Sequence, residues 1–109
     1  MNITYKYEIQ ELRCEPAIGG LTKVITEVVY EYAGESENGI TSKLPGLVVL
    51  EVPAEESFMP IEEISEATVI GWIESIADVD LAKQMVSEEI KYKSGLIYRG
   101  DSLPWNNIY

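Results

Sequence analysis

Glutamates that stand side by side in the sequence are the residues of this chain best suited to acid–base chemistry. They form three adjacent pairs, Glu55-Glu56, Glu62-Glu63 and Glu88-Glu89. Glycoside hydrolysis, the reaction that paired carboxylates would perform, needs the two groups held on opposite sides of a bound sugar. Neighbouring glutamates on a linker or an exposed helix face point apart. We therefore interpret the pairs as solvated surface.

Side chains that could bind a metal or attack a substrate are few. The sequence has no histidine, which removes the usual proton shuttle, the usual partner of a nucleophile and the commonest transition-metal ligand. Asp78-Val79-Asp80 is similar to the start of a calcium loop but lacks its glycine and distal glutamate, so helix capping is the better interpretation. Cys14, the single cysteine, lies in a strand-like segment and is predicted to be a small buried apolar residue. We predict no enzymatic activity, cofactor, metal or small-molecule substrate.

The charge of the chain argues against two classes of partner. Nineteen acidic and eight basic residues give a formal net charge of −11. Phosphate backbones and anionic membrane surfaces repel such a chain, so we expect neither nucleic acid nor membrane as a partner. The amino-terminal residues lack the apolar run of a signal peptide, and no apolar stretch approaches the roughly 18 residues of a membrane span. Synthesis in a reducing cytoplasm is the resulting expectation.

The elements that must position any functional residue begin with β-structure in residues 1–53. Apolar residues alternate from Ile3 to Ile9, and the alternation then slips by one, which predicts a β-bulge near Gln10-Glu11. Turn-forming residues follow at 15–20 and at Asn38-Gly39. A three-stranded antiparallel meander is the simplest topology, within a single domain that spans residues 1–109.

Both faces of this predicted sheet carry apolar residues. The helices can pack on one face. If the other face were exposed to solvent, polar residues would be expected there. Cover for the second face could come from the carboxyl-terminal tail or from another subunit, so its apolar residues are candidate interface residues. They are Ile25, Val29, Leu47 and Val49.

Helical periodicity replaces strand alternation after an acidic linker at residues 54–64. Two helices are predicted within residues 65–94, the first capped by Ser65 and the second beginning at Asp78 or Asp80. Gly95 is predicted to end the second helix. An α+β domain results, with both helices packed on one sheet face.

The apolar stripes of the two helices predict which residues face the sheet. Trp72 lies on the stripe of the first helix and is predicted to be a core residue, and Gly71 is predicted to allow close packing on the sheet. The residues of the second helix that are predicted to face inward are Leu81, Met85, Val86 and Ile90.

The final segment, residues 95–109, is predicted to be an extended aromatic tail. Chain ends are normally polar and frayed, whereas large aromatic residues with a polar tip are typical of interfaces. Either the tail closes the core of its own domain or it docks on a neighbouring subunit. Its candidate interface residues are Leu103, Trp105, Ile108 and Tyr109.

Three sets of short motifs cover most of the chain in order. They are Tyr7-Glu8-Ile9 with Leu12, Cys14 and Pro16, then Ser65-Glu66-Ala67-Thr68-Val69-Ile70-Gly71-Trp72-Ile73, and finally Leu103-Pro104-Trp105. These segments resemble a family of small bacteriophage proteins that are common in marine and cyanobacterial phages and generally lack an assigned function. The shared features are an amino-terminal β-hairpin region, a helix that opens with Ser/Thr-Glu-Ala and carries an aliphatic-x-Trp motif, and a Pro-Trp ending. No catalytic residues are assigned in that family.

This resemblance implies a virion-associated structural or accessory protein of a tail, neck or capsid. Such a protein would be made in the host cytoplasm and would act by self-association or by binding other virion proteins. The alternative is a small acidic phage protein that binds and inhibits a host factor, for which the net charge of −11 is suitable.

Overall fold

A computed structural model gives the fold, and it describes residues 1–53 and 58–106. Three antiparallel strands in the order β1-β2-β3 precede two helices, which confirms the predicted α+β class. The strands are β1 (Ile3–Ile18), β2 (Leu21–Ser36) and β3 (Thr41–Val49). The helices are α1 (Glu66–Ile76) and α2 (Val79–Lys93). Single 3-10 turns occur at Ile61–Glu63, Gly100–Ser102 and Pro104–Asn106.

Glycines close the hairpin between β1 and β2. Ile18 pairs with Leu21, so the connection is the two residues Gly19 and Gly20. Both have positive φ, 53° and 90°, which is the backbone that a tight hairpin turn requires and that glycine adopts at low cost. The strands therefore run further than the turn composition of residues 15–20 suggested.

Two bulges interrupt the pairing of β1 with β2. One lies between Ile9 and Glu11, which confirms the bulge predicted from the slipped alternation. The other was not predicted: Arg13 pairs with Glu27 but Cys14 pairs with Ile25, so Thr26 is an extra residue in β2. An extra residue reverses the alternation of side chains beyond it. The prediction that Ile25 lies on the uncovered face is consequently wrong, because Ile25 is buried in the main core cluster.

Local chemistry fixes the helix ends as predicted. The backbone N–H of Thr68 donates to Ser65 Oγ at 3.2 Å, and that of Leu81 donates to Asp78 Oδ1 at 3.0 Å, so both side chains act as N-caps. Gly95 follows α2 with φ 78°, and the N–H of the next residue returns to the Lys91 carbonyl, as in a glycine-based helix stop.

The core lies between one face of the sheet and the two helices. Val69 and Ile73 of α1 and Val86 and Ile90 of α2 are buried there. Two residues predicted to face inward from α2 do not, since Leu81 and Met85 are about half exposed. The inward stripe instead follows the helical spacing Val79, Ala82, Val86 and Ile90.

Close packing of α2 on the sheet depends on Gly34. A Cβ atom at that position would lie 2.6 Å from Val86 Cγ1, and Ile90 is also within contact distance. Gly71 was expected to serve this purpose in α1. That expectation is wrong, because Gly71 is exposed and a Cβ there would meet nothing within 4 Å.

The molecule is long for its size. Its extents are 66 × 27 × 18 Å and its radius of gyration is 18.9 Å, whereas a compact chain of this length would have about 13 Å. The cause is the distal part of the β1–β2 hairpin, because β3 pairs with β2 only from Glu27 onward. We call residues 10–23 the arm. Cys14 lies in the arm and is exposed, so its predicted burial is wrong: the helices do not extend over this part of the sheet.

Candidate interaction surfaces

The uncovered face of the sheet carries a small apolar patch. Val29 of β2 pairs directly with Leu47 of β3, and Val49 lies two residues further on the same face. Leu47 is 51% exposed and Val49 65% exposed, while Val29 is half-buried. Of the four residues predicted here, Ile25 is therefore absent and three remain together. We call Val29, Leu47 and Val49 the sheet patch.

The rest of this sheet face is polar. Lys6 of β1 and Lys43 of β3 flank the buried Ala33 of β2 in one row of the ladder. The Lys43 ammonium lies 2.9 Å and the Lys6 ammonium 3.4 Å from opposite oxygens of the Glu8 carboxylate. The hydrogen bond from Lys43 is the main cause that holds the pKa of Glu8 below its usual value. This half of the face is therefore charged and suited to contact with water, and the sheet patch is limited to the other half.

The segment that follows α2 folds back onto that helix. The Arg99 guanidinium lies 2.9 Å from the Glu89 carboxylate and 4.5 Å from the centre of the Tyr92 ring. A guanidinium that stacks on an aromatic ring while it pairs with a carboxylate holds the chain in a defined place. The Ser102 hydroxyl also accepts a hydrogen bond from the Arg99 backbone N–H at 2.8 Å. The backbone is extended at Arg99 and Leu103, as predicted for the tail. The two 3-10 turns, Gly100–Ser102 and Pro104–Asn106, were not predicted from the sequence.

Exposed apolar side chains concentrate on this anchored segment. Leu96 is 61%, Tyr98 58% and Trp105 68% exposed, whereas Leu103 is half-buried. Trp105 therefore does not close the core of its own domain. Large aromatic side chains are the residues that most often dominate binding energy at protein interfaces. We call Leu96, Tyr98 and Trp105 the tail surface; the other predicted tail residues, Ile108 and Tyr109, lie outside the described residues.

An apolar cleft opens at the base of the arm. Its volume is about 350 Å³, and Glu51 and Thr68 are the charged and hydroxyl side chains at its wall. Trp72, predicted to be a core residue, is half-buried: it packs against the core and also borders this opening. Sequence reasoning missed the cleft, since its wall joins three distant segments. The remaining lining residues are Val24, Ile25, Leu50, Pro53, Phe58, Met59 and Ile64.

Four tyrosines form a cluster on the helix-covered sheet face. The rings of Tyr5 and Tyr32 are stacked with centroids 5.6 Å apart, and Tyr7 contacts both Tyr30 and Tyr32. The Tyr7 hydroxyl is buried without a hydrogen-bond partner among the described residues. Burial, followed by the nearby charge of Glu74, raises the pKa of Tyr7 to about 12. A phenol with this pKa stays protonated near neutral pH. We therefore interpret the tyrosine cluster as packing and not as a proton-transfer site.

The predicted surface carboxylates are exposed in three of the four positions that the structure describes. Glu62, Glu63 and Glu88 face solvent, whereas Glu89 is half-buried and pairs with Arg99. The third predicted pair, Glu55-Glu56, lies outside the described residues. Within residues 1–53 and 58–106, no three cysteine or acidic side chains come together in a group that could hold a metal ion. None of the helices in that part of the chain has the length and apolar character to span a membrane.

Comparison with known protein families identifies the family of this chain. A sequence family described as a domain of unknown function, DUF7936, matches residues 2–105 and so includes the arm, both helices and Trp105. No curated protein and no solved structure matches the chain.

Proposed function

The chain belongs to the DUF7936 family, and we propose that it is a non-enzymatic bacteriophage protein that acts through protein–protein assembly. In this proposal it is a structural or accessory component of the virion, in a tail, neck or capsid. The observation that carries the assembly role is the tail surface, where Trp105 is 68% exposed on a segment that Arg99 holds against α2. The phage setting rests on the sequence resemblance.

An exposed tryptophan on an anchored segment is suited to docking. Association must overcome the entropy lost when side chains and loops become ordered, and a segment that is already held loses less of it. The ion pair with Glu89 and the stacking on Tyr92 order the backbone before any partner arrives. The sheet patch offers a second apolar contact on another side of the molecule, which an assembly component with two neighbours would use.

The test is the copy number of the protein in purified phage particles, measured by quantitative mass spectrometry. Trp105→Ala is expected to lower incorporation by at least about tenfold, because truncation of a central aromatic anchor typically costs about 2 kcal/mol or more. Its melting temperature should match that of the wild type, since Trp105 is mostly exposed. Ile76→Ala is the matched control: Ile76 is 52% exposed at the end of α1 and belongs to neither the tail surface nor the sheet patch.

Two results would overturn the proposal. One is a wild-type protein that is abundant in infected cells but missing from purified particles, which is the pattern expected of an inhibitor of a host factor. The other is equal incorporation of the Trp105→Ala and wild-type proteins, which would remove the tail surface from the assembly role.

A further inference from the structure

The arm and the cleft point to a specific partner for the assembly role. We propose that this partner is a second copy of the chain, and that the tip of the arm of one copy, residues 16–22, seats in the cleft of the next. The inference rests on the proposed function, since it names one contact through which assembly would occur.

The tip is apolar and projects from the molecule. Residues 16–22 carry no charge, in a chain where a quarter of the residues are charged. Ile18 and Leu21 are paired across the turn and are half-buried, and every β1 residue from Glu11 to Ala17 is exposed. A two-stranded ribbon without a third layer is only marginally stable in water, so a partner that covers the tip would stabilise it.

The cleft has the size and character to receive the tip. Its volume of about 350 Å³ is at the lower end of the ~300–1,000 Å³ typical of pockets that bind small ligands, and two aliphatic side chains fit within it. Aliphatic and aromatic side chains make most of its wall. Met59, at its rim, is 39% exposed and would lose that exposure when a tip is bound.

The arm carries less net charge than the rest of the molecule. In residues 10–23, Arg13 and Lys23 balance Glu11 and Glu15, so the arm is neutral within an acidic protein. Among the described residues that line the cleft, Glu51 is the charged one. Copies with a net charge of −11 repel each other in most orientations. An approach that leads with the neutral arm meets less of that repulsion, which favours this orientation.

The contact can form only between molecules. Val24 and Ile25, which line the cleft, belong to the same strand as Leu21 of the tip, and a continuous ribbon cannot fold back onto its own base. Tip and cleft are different surfaces, so the contact is heterologous. Repeated in one direction, such contacts build rings or filaments; made reciprocally, they close a dimer.

Light scattering over a concentration series tests the proposal with three variants of the full chain. Leu21→Glu places a charge on the tip, and Met59→Glu places one at the rim of the cleft. Leu81→Glu is the control, because Leu81 is a 50% exposed leucine on α2 that belongs to neither element. Circular dichroism of each variant checks that it is folded.

We expect the wild type and Leu81→Glu to associate equally, and the tip and cleft variants to associate at least about tenfold more weakly. An equimolar mixture of the tip and cleft variants should form dimers and nothing larger, because the tip variant keeps its cleft and the cleft variant keeps its tip. Added salt should strengthen wild-type association, since screening reduces the repulsion between acidic copies whose contact is mainly apolar.

The inference would be overturned if the Leu21→Glu variant is folded and associates as strongly as the wild type. It would also be overturned if the wild type stays monomeric at the highest concentration. Either outcome leaves the proposed function standing if the protein is still present in particles in a Trp105-dependent amount. Conversely, the protein could associate through tip and cleft and yet be absent from particles. That result would reject the virion role and support the contact between copies.

Discussion

The two ends of the β1–β2 hairpin share an alternation of apolar and polar residues but have opposite environments. At the end covered by the helices, Val28 and Tyr32 are buried and Gly34 admits α2. In the arm, Leu12 and Cys14 continue the apolar face of β1, yet both are exposed. Alternation in a strand therefore indicates which face is apolar, whereas burial depends on whether another layer of the structure extends that far along the strand.

Truncation of one aliphatic side chain at each end gives the strongest test of this difference. Ile73→Ala is expected to lower the free energy of unfolding by about 2–5 kcal/mol, because Ile73 is fully buried and its loss leaves a cavity. Leu12→Ala in the arm should cost less than about 1 kcal/mol, since Leu12 is 36% exposed. Urea denaturation measures both values. Similar losses would mean that the arm is part of the cooperative core.

Glycine-to-alanine substitutions test the contrast between covered and open positions with the addition of a single methyl group. Gly34→Ala should destabilise the fold by about 1–3 kcal/mol, because the added methyl group collides with Val86 and forces α2 away from the sheet. Gly71→Ala should stabilise it by about 0.4–1 kcal/mol, since the new side chain meets only solvent and alanine favours helix. The shift in urea midpoint reports both signs. A loss of stability in Gly71→Ala would contradict the exposed position of that residue.

A smaller effect concerns the Tyr7 hydroxyl, a buried side-chain group that has no hydrogen-bond partner among the described residues. The pKa of Tyr7 rises from 10 in the unfolded chain to about 12 in the fold, so the folded state holds the phenol proton more tightly. The resulting stability is fully present below pH 10 and is lost as the pH rises through about 12.

Tyr7→Phe removes this titration together with the buried unpaired hydroxyl, so the loss of stability at alkaline pH should become shallower while stability at neutral pH changes by less than about 1 kcal/mol. Thermal melts from pH 8 to pH 12 test both statements, with Tyr98→Phe as a control in an exposed ring. An unchanged alkaline profile in Tyr7→Phe would show that Tyr7 does not contribute to it.

Sequence reasoning succeeded where neighbouring residues decide the structure. Ser65 and Asp78 cap their helices through hydrogen bonds to backbone groups three residues away, so their roles can be read locally. The first bulge was visible because polar and apolar residues alternate strictly on both sides of it. The second was hidden because Val24 and Ile25 are both apolar, which makes the phase of β2 ambiguous at that point.

The candidate surfaces were less accessible to such reasoning. Trp105 was recognisable as an interface type, but its exposure depends on Arg99, which reaches back ten residues to Glu89 to fix the path of the chain. The cleft depends on segments that meet only in the folded protein, since Val24, Met59 and Trp72 are far apart in the sequence. The type of each side chain can therefore be read from the sequence, whereas its neighbours in the folded protein cannot.

The 66 Å length of the molecule also governs how it moves through solvent. An elongated particle experiences more friction than a sphere of equal mass, so it diffuses more slowly and enters fewer pores of a sizing column. A monomer of 12.2 kDa with this shape elutes early, at the position of a larger compact protein. Elution volume would thus report an oligomer where only single molecules exist, and the mass must be taken from scattered light or from sedimentation equilibrium.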